Sequence, residues 1–237
     1  EKFTQQKYQN FLFRDQFVDC YHVPNAKTAN LLKQITRKEI KVISYWLNDM
    51  LWLPEDQLEA QKELGLDNNN FYVGSFQRDT EGNDLITPKL EKGPDLFCDY
   101  LEKHRLKFDN LHVLLAGWRR QYVQKRLEAA NIPYTLFEKT SINTIKKLYN
   151  CLNLYIVSSR YEGGPQALIE AASMKIPIIT TDVGIARDVI AKNCIIDLQK
   201  EYYMPTKEDI EENYENVKKL TLKKHGNKFI ALFSELT

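Results

Sequence analysis

The sequence predicts an α/β protein built on an open, parallel, Rossmann-like sheet with helices on both faces, and three observations carry that expectation. Short apolar runs such as FYVGSF, LHVLLAG, IPYTLF and LYIV recur along the chain, with the length and purity of strands buried on both faces. Segments with helical spacing and helix-boundary residues lie between them, and a strand–helix alternation of this kind requires parallel crossovers. Finally, residues 154–179, LYIVSSRYEGGPQALIEAASMKIPII, compress a strand, a sharp turn, a helix and a second strand into one unit.

That unit organises the site. Residues 154–157 form the first strand, which Ser158 and Ser159 end. Gly163 and Gly164 permit a tight backbone path, and Pro165 has the fixed φ that suits the first position of a helix running to about Met174. A second strand follows over residues 176–180. Glu162 therefore falls in the loop and Glu170 in the helix. The helix N-terminus, with unpaired N–H groups and partial positive charge, arrives at the carboxyl edge of the sheet, where open α/β folds bind ligands and where phosphate is the expected guest. Two carboxylates on one crevice accept hydrogen bonds from two sets of hydroxyls. Hydroxyls, phosphates, hydroxyls is the pattern of a sugar joined to a nucleoside by a diphosphate.

The spacing Glu162, seven residues, Glu170 resembles the signature of the retaining glycosyltransferases of family 4, which have the GT-B fold. Other segments resemble that family in the same order: FYVGSFQRD its strand ending in a Gly and an Arg, EKGPDLF its Lys-Gly before a helix, VLLAGW its next strand and glycine, and residues 145–190 its closing block. The resemblance covers roughly residues 71–196. It implies transfer of a hexosyl group from a nucleoside-diphosphate sugar to an acceptor hydroxyl of a glycan, lipid or protein, with retention of configuration, without a metal or other cofactor. Arg78 and Lys92 would stabilise charge on the leaving diphosphate, Glu162 would position the sugar through its hydroxyls, and Glu170 would hold the ribose diol. Gly163, Gly164, Pro165, Gln166, Gly74, Gly117, Phe137 and Lys139 would complete the nucleotide-sugar site. The loop FEKTS would surround the nucleobase through its backbone, so the base is not legible in side chains. Arg187 and Asp188 stand where the family commonly has Pro-Glu. Two alternatives share the fold: a nucleotide-sugar epimerase, and a non-catalytic nucleotide-sugar-binding or interaction module.

Composition bounds these readings. Thirty-three basic and 32 acidic residues leave a net charge of +1, which argues against nucleic acid as a partner. Cys20, Cys98, Cys151 and Cys194 are scattered, with no C-x-x-C, and read as buried thiols of a reducing, cytoplasmic setting. The longest apolar runs are too short to span a bilayer. Peripheral membrane contact is expected only through an acceptor domain, of which residues 1–52 resemble a closing strand, helix and strand plus linker. Residues 53–205 form the nucleotide-sugar domain, and 206–237 closing helices that cross back toward the amino-terminal part.

Taken in order, FVDCYHV is a strand, Asn25 caps a helix over 26–35, and EIKVISYW is a strand. His22 at a strand end reads as structural. PEDQLEAQKELGL, with Pro at its start and acids in its first turn, is a bounded helix. Between Arg78 and Lys92, DTEGNDLITPKLE is long for a strand-to-helix loop and reads as a functional flap. Lys92 stands at the wrong end of the following helix dipole unless an anion binds beside it. Arg119 and Arg120 read as the solvated start of an amphipathic helix. SINTIKKLYN is a helix capped by Ser141, with Ile142, Ile145, Leu148 and Tyr149 facing the core. NCIID is read as the last strand, and the closing helices as interrupted near Gly226.

Overall fold

The computed structural model describes residues 4–82 and 84–235 of the 237-residue chain. At its centre is a five-stranded parallel sheet in the order β5-β4-β3-β6-β7, formed by β3 (Phe71–Ser75), β4 (Leu111–Ala116), β5 (Tyr134–Phe137), β6 (Leu154–Val157) and β7 (Ile178–Thr180). The strand order reverses between β3 and β6, which makes that gap the topological switch point and the expected ligand crevice.

Continuous apolar runs build this sheet because both of its faces are covered. Leu114, Tyr155 and Val157 enter one core with Leu148, Leu168 and Ala172, on the side of α6 (Ile142–Asn150) and α7 (Gln166–Ser173). Their strand neighbours Val113, Leu115, Leu154 and Ile156 enter a second core with Phe97, Leu101, Val123 and Leu127, on the side of α4 (Pro94–His104) and α5 (Gln121–Ala129). The alternation follows from the two-residue period of a strand.

Local chemistry sets the helix ends. Ser141 accepts from Thr144 N–H at the start of α6, Asp56 from Glu59 N–H at the start of α3 (Gln57–Glu63), and, after the short α8 (Ala186–Val189), Thr206 with Asp209 forms a reciprocal capping box on α9 (Lys207–Val217). Of the apolar stripe read in α6, Ile142 is exposed, because it lies in the first turn beyond the core, whereas Leu148 and Tyr149 are buried. Gly93 opens α4 with φ +61°, and a Cβ there would lie 1.8 Å from Ser158 O. Only glycine lets the 90–94 turn approach the end of β6 so closely.

The amino-terminal part contains α1 (Gln5–Asp15) and a two-stranded parallel sheet of β1 (Cys20–Val23) and β2 (Glu39–Val42), joined through α2 (Ala26–Leu32). Asn25 caps α2 by accepting from Thr28 N–H, but the helix proper stops at Leu32. His22 Nε2 lies 2.8 Å from Ile43 O and its ring meets Phe229 edge-on at 5.0 Å, a structural role.

Two expectations about the carboxyl-terminal part are corrected. NCIID is a 3-10 turn over Lys192–Cys194 followed by a single parallel bridge from Ile195 to Thr180. Pairing stops there because Asp197 turns the chain, accepting from Gln199 N–H on its side chain and from Lys200 N–H on its carbonyl. The closing helices break at residues 218–221, and α10 (Leu222–Glu235) runs straight through Gly226. The break belongs to Leu47, whose N–H bonds Leu220 O and whose carbonyl accepts from Leu222 N–H. Helix α10 then returns to the amino-terminal part, with Phe229 against His22 and Trp46.

Candidate functional site: the crevice between β3 and β6

Three loops converge at the carboxyl ends of β3 and β6. After β6, Ser158 and Ser159 are fully buried, and the chain turns outward so that Arg160 and Tyr161 donate their N–H groups to Glu91 O at 2.8 and 3.1 Å. Arg160 also grips Asp95 with both guanidinium arms, at 2.7 and 2.6 Å. Burial pushes the Asp95 carboxyl up, but the Arg160 contacts outweigh it and hold the group below the usual carboxylate range. This staple sets the turn bearing Lys92 opposite the loop bearing Glu162.

The two side chains meet: Lys92 Nζ lies 2.6 Å from Glu162 Oε1. Ser159 Oγ donates to the same oxygen at 2.9 Å and lies 3.2 Å from Gln77 Oε1. Gln77 Nε2 donates to Lys92 O at 2.8 Å. Glu162 faces a cleft of about 480 Å³ shared with Asn25, Lys27 and Thr28 of the amino-terminal part. A larger cavity of about 840 Å³ lies at the β7 edge, bounded by Arg160, Arg187 and Asn216, away from the Lys92–Glu162 contact. Its arginines are already engaged by Asp95 and Asp182.

Pro165 is the N-cap of α7, with Gln166 as the first helical residue, one position from the expectation. Gly163 O accepts from Asn25 Nδ2, and Gln166 Nε2 donates to Trp46 O at 2.9 Å. A Cβ on Gly164 would lie 2.6 Å from the Tyr45 ring. The turn from Gly163 to Gln166 is therefore clasped by the amino-terminal part. One and a half turns into α7, Glu170 Oε2 accepts from Tyr149 Oη at 3.1 Å. Burial raises its pKa to about 7, against which the Tyr149 bond acts. Tyr149 packs on Phe76, just beyond β3, with ring centroids 4.8 Å apart, so Glu170 also belongs to the carboxyl edge.

The remaining predicted site residues spread along that edge. Arg78 is exposed, its Nε donating to Thr80 O at 2.8 Å; among the described contacts it does not touch Lys92 or Glu162. Gly74 is buried within β3, where a Cβ would meet Leu152 at 2.4 Å, a requirement of packing. Gly117 follows β4 with φ +96° and open space before it. Phe137 ends β5, and Lys139, in the next turn, lies 5.9 Å from the exposed Trp118 ring. Among the described residues no three His, Cys, Asp or Glu side chains form a group that could hold a metal ion.

Sequence reasoning missed Ser159 and Tyr149, which hold the carboxylates, and Gln77, which holds the Lys92 carbonyl; Ser159, three residues before Glu162, was the one local signal. It also misassigned Arg120. Rather than a solvated helix start, Arg120 is 1% exposed. It bonds Asp79 Oδ2 at 3.0 Å, Ala116 O at 2.8 Å, Ser75 Oγ at 3.2 Å and Ser75 O. These bonds tie the ends of β3 and β4 together and pin the base of the 79–91 flap, where Asp79 N–H bonds Arg119 O and Lys89 N–H bonds Asp79 O. Burial raises the Asp79 pKa and lowers that of Arg120, and their mutual attraction opposes both shifts.

Residues 88–228, more than half of the chain, match the family described as glycosyl transferases group 1. The chain belongs to that family. Among curated proteins it is similar to the lipopolysaccharide core biosynthesis mannosyltransferase LpsB of Rhizobium meliloti (strain 1021), 26% identical over 144 residues, which are 58% of this chain and 38% of LpsB. Among solved structures it resembles a sucrose-phosphate synthase from Thermosynechococcus elongatus (TM-score 0.76, 14% identity, all of this chain and 63% of that one). It also resembles Anabaena Alr3699/HepE, solved in complex with UDP-glucose (TM-score 0.77, 16% identity, 98% of this chain and 68% of that one). The expected α/β, GT-B architecture is met. The chain spans well under half the length of LpsB and about two thirds of these solved chains. Among the described residues no helix is long and apolar enough to cross a membrane.

Proposed function

We propose that this group 1 glycosyltransferase chain binds a nucleoside-diphosphate sugar in the β3–β6 crevice and serves transfer of the sugar to an acceptor hydroxyl with retained configuration. The carrying observation is the meeting of Lys92 with Glu162 at the switch point, beside the N-terminus of α7. In this reading Lys92, aided by Arg78 and the α7 dipole, stabilises the charge that grows on the diphosphate as the bond from the anomeric carbon to phosphate oxygen breaks. The acceptor oxygen forms the new bond and its proton passes to the departing phosphate oxygen. Glu162 holds sugar hydroxyls, and Glu170, once ionised, holds the ribose diol. These carboxylates face opposite ends of one donor, so the two-carboxylate scheme of glycoside hydrolysis does not apply.

Side-chain cations suffice for neutralisation in this reading, and no metal is invoked. Residues 1–52 act as part of the acceptor side, 53–205 as the donor domain, and 206–237 as the closing helices. The free, mostly buried thiols fit a cytoplasmic setting. Assignment to family 4 rests on the Glu162–Glu170 spacing and the motif order; the UDP-glucose bound by HepE makes uridine the first donor base to try. Calorimetric titration with UDP, GDP and ADP and with their sugar conjugates tests the reading. Glu170→Ala is expected to weaken the bare diphosphate, whereas Glu162→Ala mainly weakens the intact donor. Unchanged affinities in both variants would remove it.

A further inference from the structure

Within the crevice Lys92 and Glu162 neutralise each other. Their side chains are 29% and 15% exposed, so the attraction is less screened than at an open surface. The two partners are not equally free to move. Glu162 Oε1 is held by Ser159 Oγ, which donates to it at 2.9 Å and is itself buried at the end of β6. The Lys92 backbone is fixed by Gln77 at its carbonyl, but its ammonium ends a flexible four-carbon stem. Both bonds to Glu162 fall on Oε1, which leaves Oε2 for other donors.

We infer that Glu162 competes for Lys92, so that the crevice favours an intact sugar nucleotide over the bare nucleoside diphosphate left after transfer. The inference rests on the donor-site reading above and deepens it. A bare diphosphate draws the ammonium away and leaves a half-buried carboxylate without a counter-charge, next to phosphate of like sign. An intact donor brings sugar hydroxyls, which donate to the carboxylate and replace the ammonium as its partner. Glu162 thus penalises the product and tolerates the substrate.

Titration of the wild type, Glu162→Gln and Lys92→Met with UDP, GDP and ADP, and with UDP-glucose, GDP-mannose and ADP-glucose, tests this. Glutamine keeps the size of the side chain and still accepts from Ser159. Glu162→Gln is expected to bind the best bare diphosphate about three- to tenfold more tightly, with the sugar conjugate bound more weakly, so the preference reverses. A merely structural role would weaken both. Equal or weaker diphosphate binding by Glu162→Gln overturns the inference while leaving the donor site intact. Wild type that binds none of the six compounds, or Lys92→Met that binds them as wild type does, removes the donor-site reading and this inference with it. Should Glu162→Gln lose its native circular dichroism, Glu162→Asp, which draws the carboxylate back by one methylene, is expected to shift diphosphate affinity upward by a smaller factor, and no shift overturns the inference.

Discussion

Two ion pairs flank the carboxyl end of β3, and they are built for opposite tasks. On the β4 side, Arg120 and Asp79 are each 1% exposed, and the guanidinium is also spent on three further acceptors at the strand ends. On the β6 side, Lys92 and Glu162 keep 29% and 15% exposure and meet through one contact. A planar fork with every arm engaged cannot be lent to a ligand, whereas a single ammonium on a flexible stem can. On the proposed donor-site reading, the comparison separates structural from ligand-directed charge within one loop system. The fixed pair holds the base of the flap, and the loose pair faces the crevice.

That contrast is easiest to break at Arg120. Arg120→Met leaves Asp79 buried without its partner and is expected to cost about 3–5 kcal/mol in urea unfolding; a change below about 1 kcal/mol would place the pair in solvent-like surroundings. Glu170, a half-buried carboxyl with no cation against it among the described residues, sharpens the comparison through pH. Its folded pKa of about 7 lies above the ordinary value of 4.5. The proton it keeps therefore contributes stability that is fully present below pH 4.5 and lost as pH rises through about 7. Glu170→Gln is expected to be more stable than wild type by roughly 3 kcal/mol at pH 8 and nearly equal to it at pH 4.5, measured by thermal unfolding across pH. For the same reason, nucleoside diphosphate affinity of the wild type is expected to rise between pH 6 and 8.

Smaller effects belong to the loose pair. Lys92→Met is expected to weaken nucleoside diphosphate binding about ten- to a hundredfold by calorimetry, the scale of one charge-assisted contact. Its unfolding free energy should stay within about 1 kcal/mol of wild type, as for other partly exposed pairs. A Lys92→Met chain that instead unfolds like Arg120→Met would erase the distinction between the two sides of β3.

Much of the architecture was readable because its signals are local. Apolar runs gave the five strands of the main sheet, Ser141 and Asn25 announced their helices by capping chemistry, and the Gly-Gly-Pro turn announced α7. Failures fell where a distant backbone decides. The break at residues 218–221 is made by Leu47, and the expected last strand shrinks to one bridge because Asp197 turns the chain. Spacing and charge placement were enough to put Glu162, Glu170 and Lys92 at the carboxyl edge of the sheet, where they lie. Gln77, Ser159 and Tyr149 were not, since a neutral polar residue acquires a role only from what folding brings beside it. Arg120 was misread for the same reason: tandem arginines at a helix start look solvated until strand-end carbonyls and Asp79 close over one of them.

By itself, then, the sequence determined the α/β class, the crossover unit and the two carboxylates placed in its loop and helix, because hydrophobic period, capping and turn geometry act over a few residues. Tertiary structure decided which charges face each other. Lys92 and Glu162 stand 70 positions apart in the chain, and Arg120 and Asp79 stand 41 apart. Ion pairing depends on distance and burial, and neither exists before the strands are laid side by side.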